Sequence, residues 1–305
     1  MRQAARTHST DGGQLARAFP ANSNYETGSA MKLSSLSPPL GIAHFTAIDV
    51  EPLSFVEMAA RIGYSAVGLR LNPAFPGAPF YQIPAGTALM RSLRTRLADT
   101  GVSVYDIEFV VMDAAFAPNS LSPMLESAGE LGAKRLSLCG DDPDRSRLVA
   151  NFAALCDLAA GFGIGVDLEC MAWRKVASFA DAVDVVRAAD RRNGGVLVDA
   201  LHLARTGGVP ADVLAAPARL IKSAQLCDAP AMRPESEAAI IAEARSGRLP
   251  PGEGELPLRE LLSALPDDVV LSVEVPLPAG ASPEPHARRV FAAARRLFEA
   301  LREEE

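Results

Sequence analysis

Four polar residues sit in largely apolar runs: Glu169 in Val-Asp-Leu-Glu-Cys, Asp199 in Leu-Val-Asp-Ala, Gln225 in Ser-Ala-Gln-Leu and Glu274 in Ser-Val-Glu-Val. A carboxylate buried among apolar neighbours is costly unless it is paired or coordinates a cation. Three carboxylates and one amide oxygen form a hard, all-oxygen donor set of charge about -1 around a dication. Such a set suits one divalent ion, Mn²⁺ or Mg²⁺ with Co²⁺ as a further candidate, better than a structural zinc. Taken singly, each residue reads equally well as an ion-pair partner, a helix cap or a loop support. Their recurrence on successive segments points instead to a metal (Glu169, Asp199, Gln225, Glu274). The chemistry this allows is polarisation of a carbonyl or hydroxyl and proton transfer at the adjacent carbon, with Glu169 and Glu274 as acid–base candidates.

Other residues gather around these four. His202 follows Asp199 by three residues, about one helical turn, and is a candidate proton shuttle or contact to a substrate oxygen. For His44 a loop hydrogen bond and a substrate contact are equally compatible. Arg70 and Glu108 lie on apolar segments. Trp173, the only tryptophan, comes four residues after Glu169 and can wall a pocket or simply pack. Arg248 opens Arg-Leu-Pro-Pro-Gly-Glu-Gly-Glu, a segment shaped by two prolines and two glycines. It is suited to grip a carboxylate or hydroxyl, and it lacks the Gly-Lys-Ser/Thr ending of a phosphate loop. The expected substrate contacts are therefore His44, Arg70, Glu108, Trp173, His202 and Arg248. His8 falls in the amino-terminal tail, and His286 is expected on the exposed face of the last helix.

These residues need a scaffold that brings segment ends together. Candidate strands are Gly41–Phe45, Ala66–Leu71, Val102–Phe109, Arg135–Cys139, Gly165–Cys170, Val196–Asp199, Leu220–Leu226 and Val269–Val275. Several are continuous apolar runs, as parallel strands covered on both faces require. Helical patterns lie between them. Ser54-Phe-Val-Glu57 reads as a capping box with Gly63 closing the helix, and Ser178-Phe-Ala-Asp181 as a second box. The last helix places Val290, Ala294, Leu297, Phe298 and Leu301 on one face. Eight alternating strand–helix units predict an α/β protein, a single (β/α)8 TIM barrel over residues 40–303, with its working residues at the strand carboxyl ends. A doubly wound sheet lacks a supporting G-x-G-x-x-G. Asp228–Leu256 is long for one loop and is expected to carry a short helix at Glu235–Arg245. The proline-rich Pro73–Pro84 segment reads as a stiff rim. Residues 1–30 are polar and aperiodic, a disordered or over-extended start with Met31 as alternative initiator.

Composition narrows the classes. The 305 residues are 49% hydrophobic and 22% charged, a globular balance. With 30 basic and 37 acidic residues the net charge is -7, which argues against a nucleic-acid partner. No apolar run reaches the roughly 20 residues of a membrane span. Cys139, Cys156, Cys170 and Cys227 are too scattered for a disulfide framework or zinc knuckle, so reduced thiols in a cytoplasmic protein are expected. Lysine is confined to Lys32, Lys134, Lys175 and Lys222, so arginine clusters carry little weight as a functional signal.

At the segments Leu168-Glu169-Cys-Met-Ala-Trp173, Val198-Asp199-Ala-Leu-His202, Gln225-Leu-Cys-Asp228-Ala-Pro230, Arg248-Leu-Pro-Pro-Gly-Glu-Gly-Glu and Ser272-Val-Glu274 the chain resembles the xylose isomerase-like barrel family, the sugar phosphate isomerase/epimerase group. The resemblance covers roughly Leu40 to Leu301. It implies one divalent metal at the barrel mouth, held by the residues at these positions, and a sugar or cyclic polyhydroxy-keto substrate. The common pattern has a histidine where this chain has Gln225. The Gln-Leu-x-Asp-Ala-Pro run and the Arg…Pro-Gly-x-Gly loop also resemble the 3-dehydroshikimate dehydratases, where a glutamine is the fourth ligand. That branch would make the chain a lyase giving protocatechuate. The resemblance thus implies either an isomerase/epimerase or a lyase. A non-catalytic sugar-binding barrel is the alternative from another class, and a repair endonuclease of the same superfamily is disfavoured by the charge and the few histidines. A homodimer is compatible with barrels of this kind.

Overall fold

The computed structural model describes residues 38–303, so the expectation for residues 1–30 and the tail residue His8 lie outside the described part. Eight strands form a closed parallel barrel in chain order: β1 (Leu40–Ile42), β2 (Ala66–Arg70), β3 (Ser103–Met112), β4 (Arg135–Gly140), β5 (Gly165–Glu169), β6 (Gly194–Asp199), β7 (Ile221–Leu226) and β8 (Val270–Val273), with β8 returning to β1. The (β/α)8 expectation holds, and each candidate strand overlaps an observed one. Edges shift by a few residues, most at β1, where a 3-10 turn begins at His44, and at β3, which runs on to Met112.

Helices cover the outside. They are α1 (Pro52–Ile62), α2 (Ala88–Thr100), α3 (Ser122–Glu130), α4 (Arg145–Ala160), α5 (Phe179–Ala189), α6 (Ala200–Arg205), α7 (Pro210–Ala215), α8 (Glu237–Ala242), α9 (Leu258–Ala264) and α10 (Pro283–Arg302). Ser178 caps α5, its hydroxyl accepting from the Asp181 amide at 3.1 Å, but the reciprocal half of the expected box does not form, because Asp181 Oδ2 accepts from the Ser178 hydroxyl at 2.8 Å instead of from its amide. The Ser54 capping box does not form. α1 starts earlier, at Pro52, whose missing N–H suits a first helical position, and Ser54 lies inside the helix. Gly63 closes α1 in the left-handed conformation. The short helix expected at 235–245 is α8, continued by a π-turn over Glu243–Gly247.

His286 departs from its expected exposed place. It is buried, and its Nε2 lies 2.7 Å from the Val275 carbonyl oxygen. It stands four residues before Val290, on the same buried stripe of α10. All four cysteines are buried and unpaired. No helix among the described residues is long and apolar enough to cross a membrane.

The barrel interior is polar at two levels. Low in the barrel, Arg135 of β4 donates from Nε to Asp167 Oδ2 of β5 at 2.9 Å and from Nη2 to Asp167 Oδ1, and Ser223 of β7 donates to the same carboxylate at 3.0 Å. Gly195 of β6 leaves the space this group needs, since a Cβ there would lie 2.5 Å from Asp167 Oδ1 and 2.7 Å from Arg135 Nη2. The second level is at the strand carboxyl ends.

Candidate active site

β5 ends on Glu169, β6 on Asp199 and β7 near Gln225, while Glu274 follows β8 directly. In register Asp199 aligns with Gln225, and Gln225 with Ser272. The regular alternation of parallel strands turns these side chains inward together. Asp199 also N-caps α6: its Oδ1 accepts the His202 backbone N–H at 2.9 Å. That cap sets the His202 ring over the barrel mouth. Capping and site-building are thus two uses of one carboxylate.

Glu169, Asp199 and His202 form a buried group whose ligand atoms lie within 4.8 Å of one another. Two atoms of that group, Glu169 Oε1 and His202 Nδ1, are buried without a hydrogen-bond partner. Arg248 spans the rest. Its Nη1 donates to Asp199 Oδ2 at 2.5 Å, and its Nη2 lies 3.1 Å from Glu274 Oε2 and 3.3 Å from His202 Nε2. Because a guanidinium only donates, His202 Nε2 is the acceptor and the neutral ring carries its proton on Nδ1. Gln225 Nε2 donates to Glu274 Oε1 at 3.5 Å.

The electrostatics follow from burial and crowding. Burial, then Asp199 and Glu274, hold the Glu169 carboxyl well above the usual carboxylate range. Burial, against the opposing pull of Arg248, raises Glu274 to about 7, with Glu108 and Asp199 adding to it. Burial works to raise Asp199 as well, but Arg248 and His202 override it and keep it below its ordinary value. Burial drops His202 to about 4 despite Asp199, so its ring is neutral at pH 7.

A cavity opens above these residues. Glu169, Trp173, His202, Arg248, Glu274 and Arg70 line it. The Trp173 ring meets His202 edge-on at 5.2 Å. Two expected substrate contacts stand behind the wall. His44 is stacked between Phe55 and Tyr81, with Nε2 at 3.0 Å from the Val50 carbonyl oxygen and Nδ1 accepting from the Arg70 amide at 3.1 Å. Glu108 accepts from the His44 amide at 2.6 Å and from Arg70 Nη2 at 3.1 Å, so it holds Arg70 in place. Arg174, Arg245 and Phe75 also line the cavity, and the sequence reading did not single them out. Phe75 belongs to the proline-rich rim, which does reach the mouth. Arg174 adjoins Trp173, but in a chain this rich in arginine its type carries no signal.

The residues fit a divalent cation. The buried Glu169 Oε1 has no donor and a cation would satisfy it; His202 would ligate through Nε2, 3.9 Å from that oxygen, in place of its contact with Arg248. Two carboxylates and an imidazole bind Mn²⁺, Co²⁺ or Zn²⁺ well.

The sequence profile of a family described as xylose isomerase-like TIM barrel matches residues 56–299. The 3-dehydroshikimate dehydratases of Pseudomonas aeruginosa and Pseudomonas putida are 28% and 27% identical over 140 and 142 residues, 44% and 45% of this chain. The matched stretch spans only 22% of each of those relatives. Among solved structures, the IOLI protein with a binding zinc atom superposes with a TM-score of 0.72 at 18% identity, over 87% of this chain and 99% of that one. D-psicose 3-epimerase with D-tagatose from Clostridium cellulolyticum H10 gives 0.66 at 14%, over 86% and 99%. The probable 3-DHS dehydratase AsbF of Bacillus anthracis gives 0.64 at 12%, over 84% and 98%. These structural likenesses are likenesses of fold.

Proposed function

The chain belongs to the xylose isomerase-like TIM barrel family, and from that membership we propose that it is a divalent-metal-dependent enzyme that enolises a polyhydroxy carbonyl substrate, an isomerase or epimerase in its simplest form. The observation that carries this is the unsatisfied Glu169 Oε1, 3.9 Å from His202 Nε2 and beside Glu274 at the floor of the mouth cavity. Glu169 and Asp199 would hold the ion, with His202, Gln225 and Glu274 as the remaining donors at the same strand ends. A bound dication would polarise the substrate carbonyl and stabilise charge developing on its oxygen. Glu274, with its carboxyl near neutrality, takes the proton from the adjacent carbon. In isomerisation or epimerisation that proton returns from Glu274 or Glu169. Arg248 holds Asp199 ionised, opposes the effect of burial on Glu274 and fixes the angle between the two. We place the protein in the cytoplasm.

A second reading, loss of a β-hydroxyl from 3-dehydroshikimate, is favoured by the likeness to the Pseudomonas dehydratases and by Gln225 in place of a histidine. In it His202 or a carboxyl supplies the proton to the leaving hydroxyl, Glu169 being the carboxyl that burial keeps protonated most readily. One assay separates the two. The purified protein is mixed with 3-dehydroshikimate, with and without Mn²⁺, and absorbance of an aromatic product is followed. Metal-dependent product would establish the dehydratase. No product, with Mn²⁺ binding shown independently, would leave isomerisation of keto-sugars or inososes. Absence of Mn²⁺ binding would refute the metal assignment.

A further inference from the structure

The wall of the mouth cavity is richer in positive charge than enolisation of a neutral sugar requires. Four arginines line it: Arg70, Arg174, Arg245 and Arg248. Three are matched by carboxylates. Arg248 pairs with Asp199 and Glu274, Arg70 with Glu108 at 3.1 Å, and Arg174 with Asp141 at 2.7 Å. Arg245 has no carboxylate partner among the described residues. Its guanidinium lies over the Phe75 ring, 4.6 Å from the centroid, so a side chain from the π-turn after α8 meets one from the rim after β2 across the cavity.

The matched arginines are also not used up. Arg70 is 6% exposed, its guanidinium lies over Phe45, and its Nε–H is buried with no acceptor. The Arg174 Nε–H is likewise buried and unpartnered. These buried Nε atoms have no surface to offer the cavity, so a ligand would meet the Nη ends of the guanidinium groups, above all that of the part-exposed Arg174, and an anionic oxygen is the acceptor that suits them best. The aromatic faces of Phe45, Phe75, Phe109 and Trp173 complete the wall. They suit the flat or C–H-rich side of a ring better than a fully hydroxylated chain.

We propose that Arg174 and Arg245, with Arg70 beside them, form an anion-recognising wall, and that the substrate of this site carries a carboxylate or phosphate remote from its reacting carbonyl. This rests on the enolising site proposed above and adds the residues that select its substrate. Binding energy from the remote anion would be available to orient the reacting carbon over Glu274.

Trp173 is the only tryptophan and lines the cavity, so its emission reports on occupancy. The full chain, with Mn²⁺ bound and without it, is titrated with two matched pairs: quinate against methyl quinate, and ribose 5-phosphate against ribose. The expected result is a saturable change at about tenfold lower concentration for the anion of one pair, and which pair responds identifies the group. Arg245→Ala, an exposed position, is expected to erase most of that preference and leave the neutral compound's response and Mn²⁺ affinity as they were. Arg174→Lys, which keeps charge but loses the guanidinium fork, should weaken anion binding less than Arg174→Gln. Equal responses within both pairs, or an unchanged preference in Arg245→Ala, would overturn the proposal. Mn²⁺ affinity, read separately by electron paramagnetic resonance, tests the metal reading on its own. Anion preference without Mn²⁺ binding would sink that reading and leave the wall, whereas Mn²⁺ binding without anion preference would do the reverse.

Discussion

The barrel encloses two polar groups of similar make-up, and their hydrogen bonding differs. The lower one, Arg135–Asp167–Ser223, is closed: Asp167 takes two bonds from Arg135 and a third from Ser223, and Gly195 is bare so that they fit. The upper one, Glu169–Asp199–His202–Glu274 with Arg248, is open: one carboxylate oxygen and one imidazole nitrogen have no partner, and a cavity sits above them. Burial makes satisfied groups structural and leaves unsatisfied ones in want of a ligand. Two clusters of like chemistry within one barrel thus separate into scaffold and candidate site by their unmade bonds.

The sharpest way to break that comparison is to replace one carboxylate at each level. Glu274→Gln is expected to cut turnover by about a thousandfold, the range for loss of a general acid–base group, with the fold intact by circular dichroism. Near-normal turnover would remove Glu274 from the chemistry. Asp167→Ala should show the opposite profile. It strands the Arg135 guanidinium in the barrel, and breaking a buried pair from one side costs about 3–5 kcal/mol. Urea unfolding would read that loss, and a variant as stable as the parent would show the lower cluster to be dispensable.

The two levels should also part on metal addition. An ion bound only by the folded protein stabilises it by about 2.7 kcal/mol at a hundredfold excess over its dissociation constant. Mn²⁺ is expected to raise the melting temperature of the parent and of a lower-cluster variant such as Ser223→Ala, but not of Glu169→Ala. A Glu169→Ala protein that Mn²⁺ still stabilises would move the ion elsewhere.

Much of this contrast is legible in the sequence, for a physical reason. Glu169, Asp199, Gln225 and Glu274 stand out because an apolar strand offers no ordinary place for them, and parallel-strand geometry then brings their ends together. Asp167 lies in the same strand as Glu169 and looks no different along the chain. Only its partners, 32 and 56 residues away, mark it as structural. Gly195 reads as a turn residue until the guanidinium it makes room for is in view. His286 was within reach, since its spacing of four from Val290 places it on the buried stripe; its polarity argued the other way, and the Val275 carbonyl it meets belongs to another element. His202 is identifiable as a mouth residue from its distance to Asp199. That its ring joins the ligand-like group while Glu274 is drawn aside by Arg248 and Gln225 depends on loop paths that residue spacing does not encode.

The smallest expected effect is the one that distinguishes an open cluster from a closed one most directly. In the metal-free protein burial holds Glu274 at about 7, against 4.5 for the ordinary carboxyl. Between those values the folded state keeps a proton that the unfolded chain has released. The unfolded state therefore binds fewer protons, and stability falls as pH rises from about 4.5 to about 7, with the full loss present above that. Glu274→Gln carries no such proton. The inactive variant is accordingly expected to be more stable than its parent at pH 8 by about 2 kcal/mol, with the gap closing towards pH 4.5. Saturating Mn²⁺ should shrink the gap from the other side, because a dication stabilises the ionised carboxylate in the parent. Urea unfolding at a series of pH values, with and without metal, measures all of this. A parent that matches the Glu274→Gln protein at pH 8 without metal would mean that Arg248 and Gln225 already satisfy the carboxylate, and the upper cluster would then be as closed as the lower one.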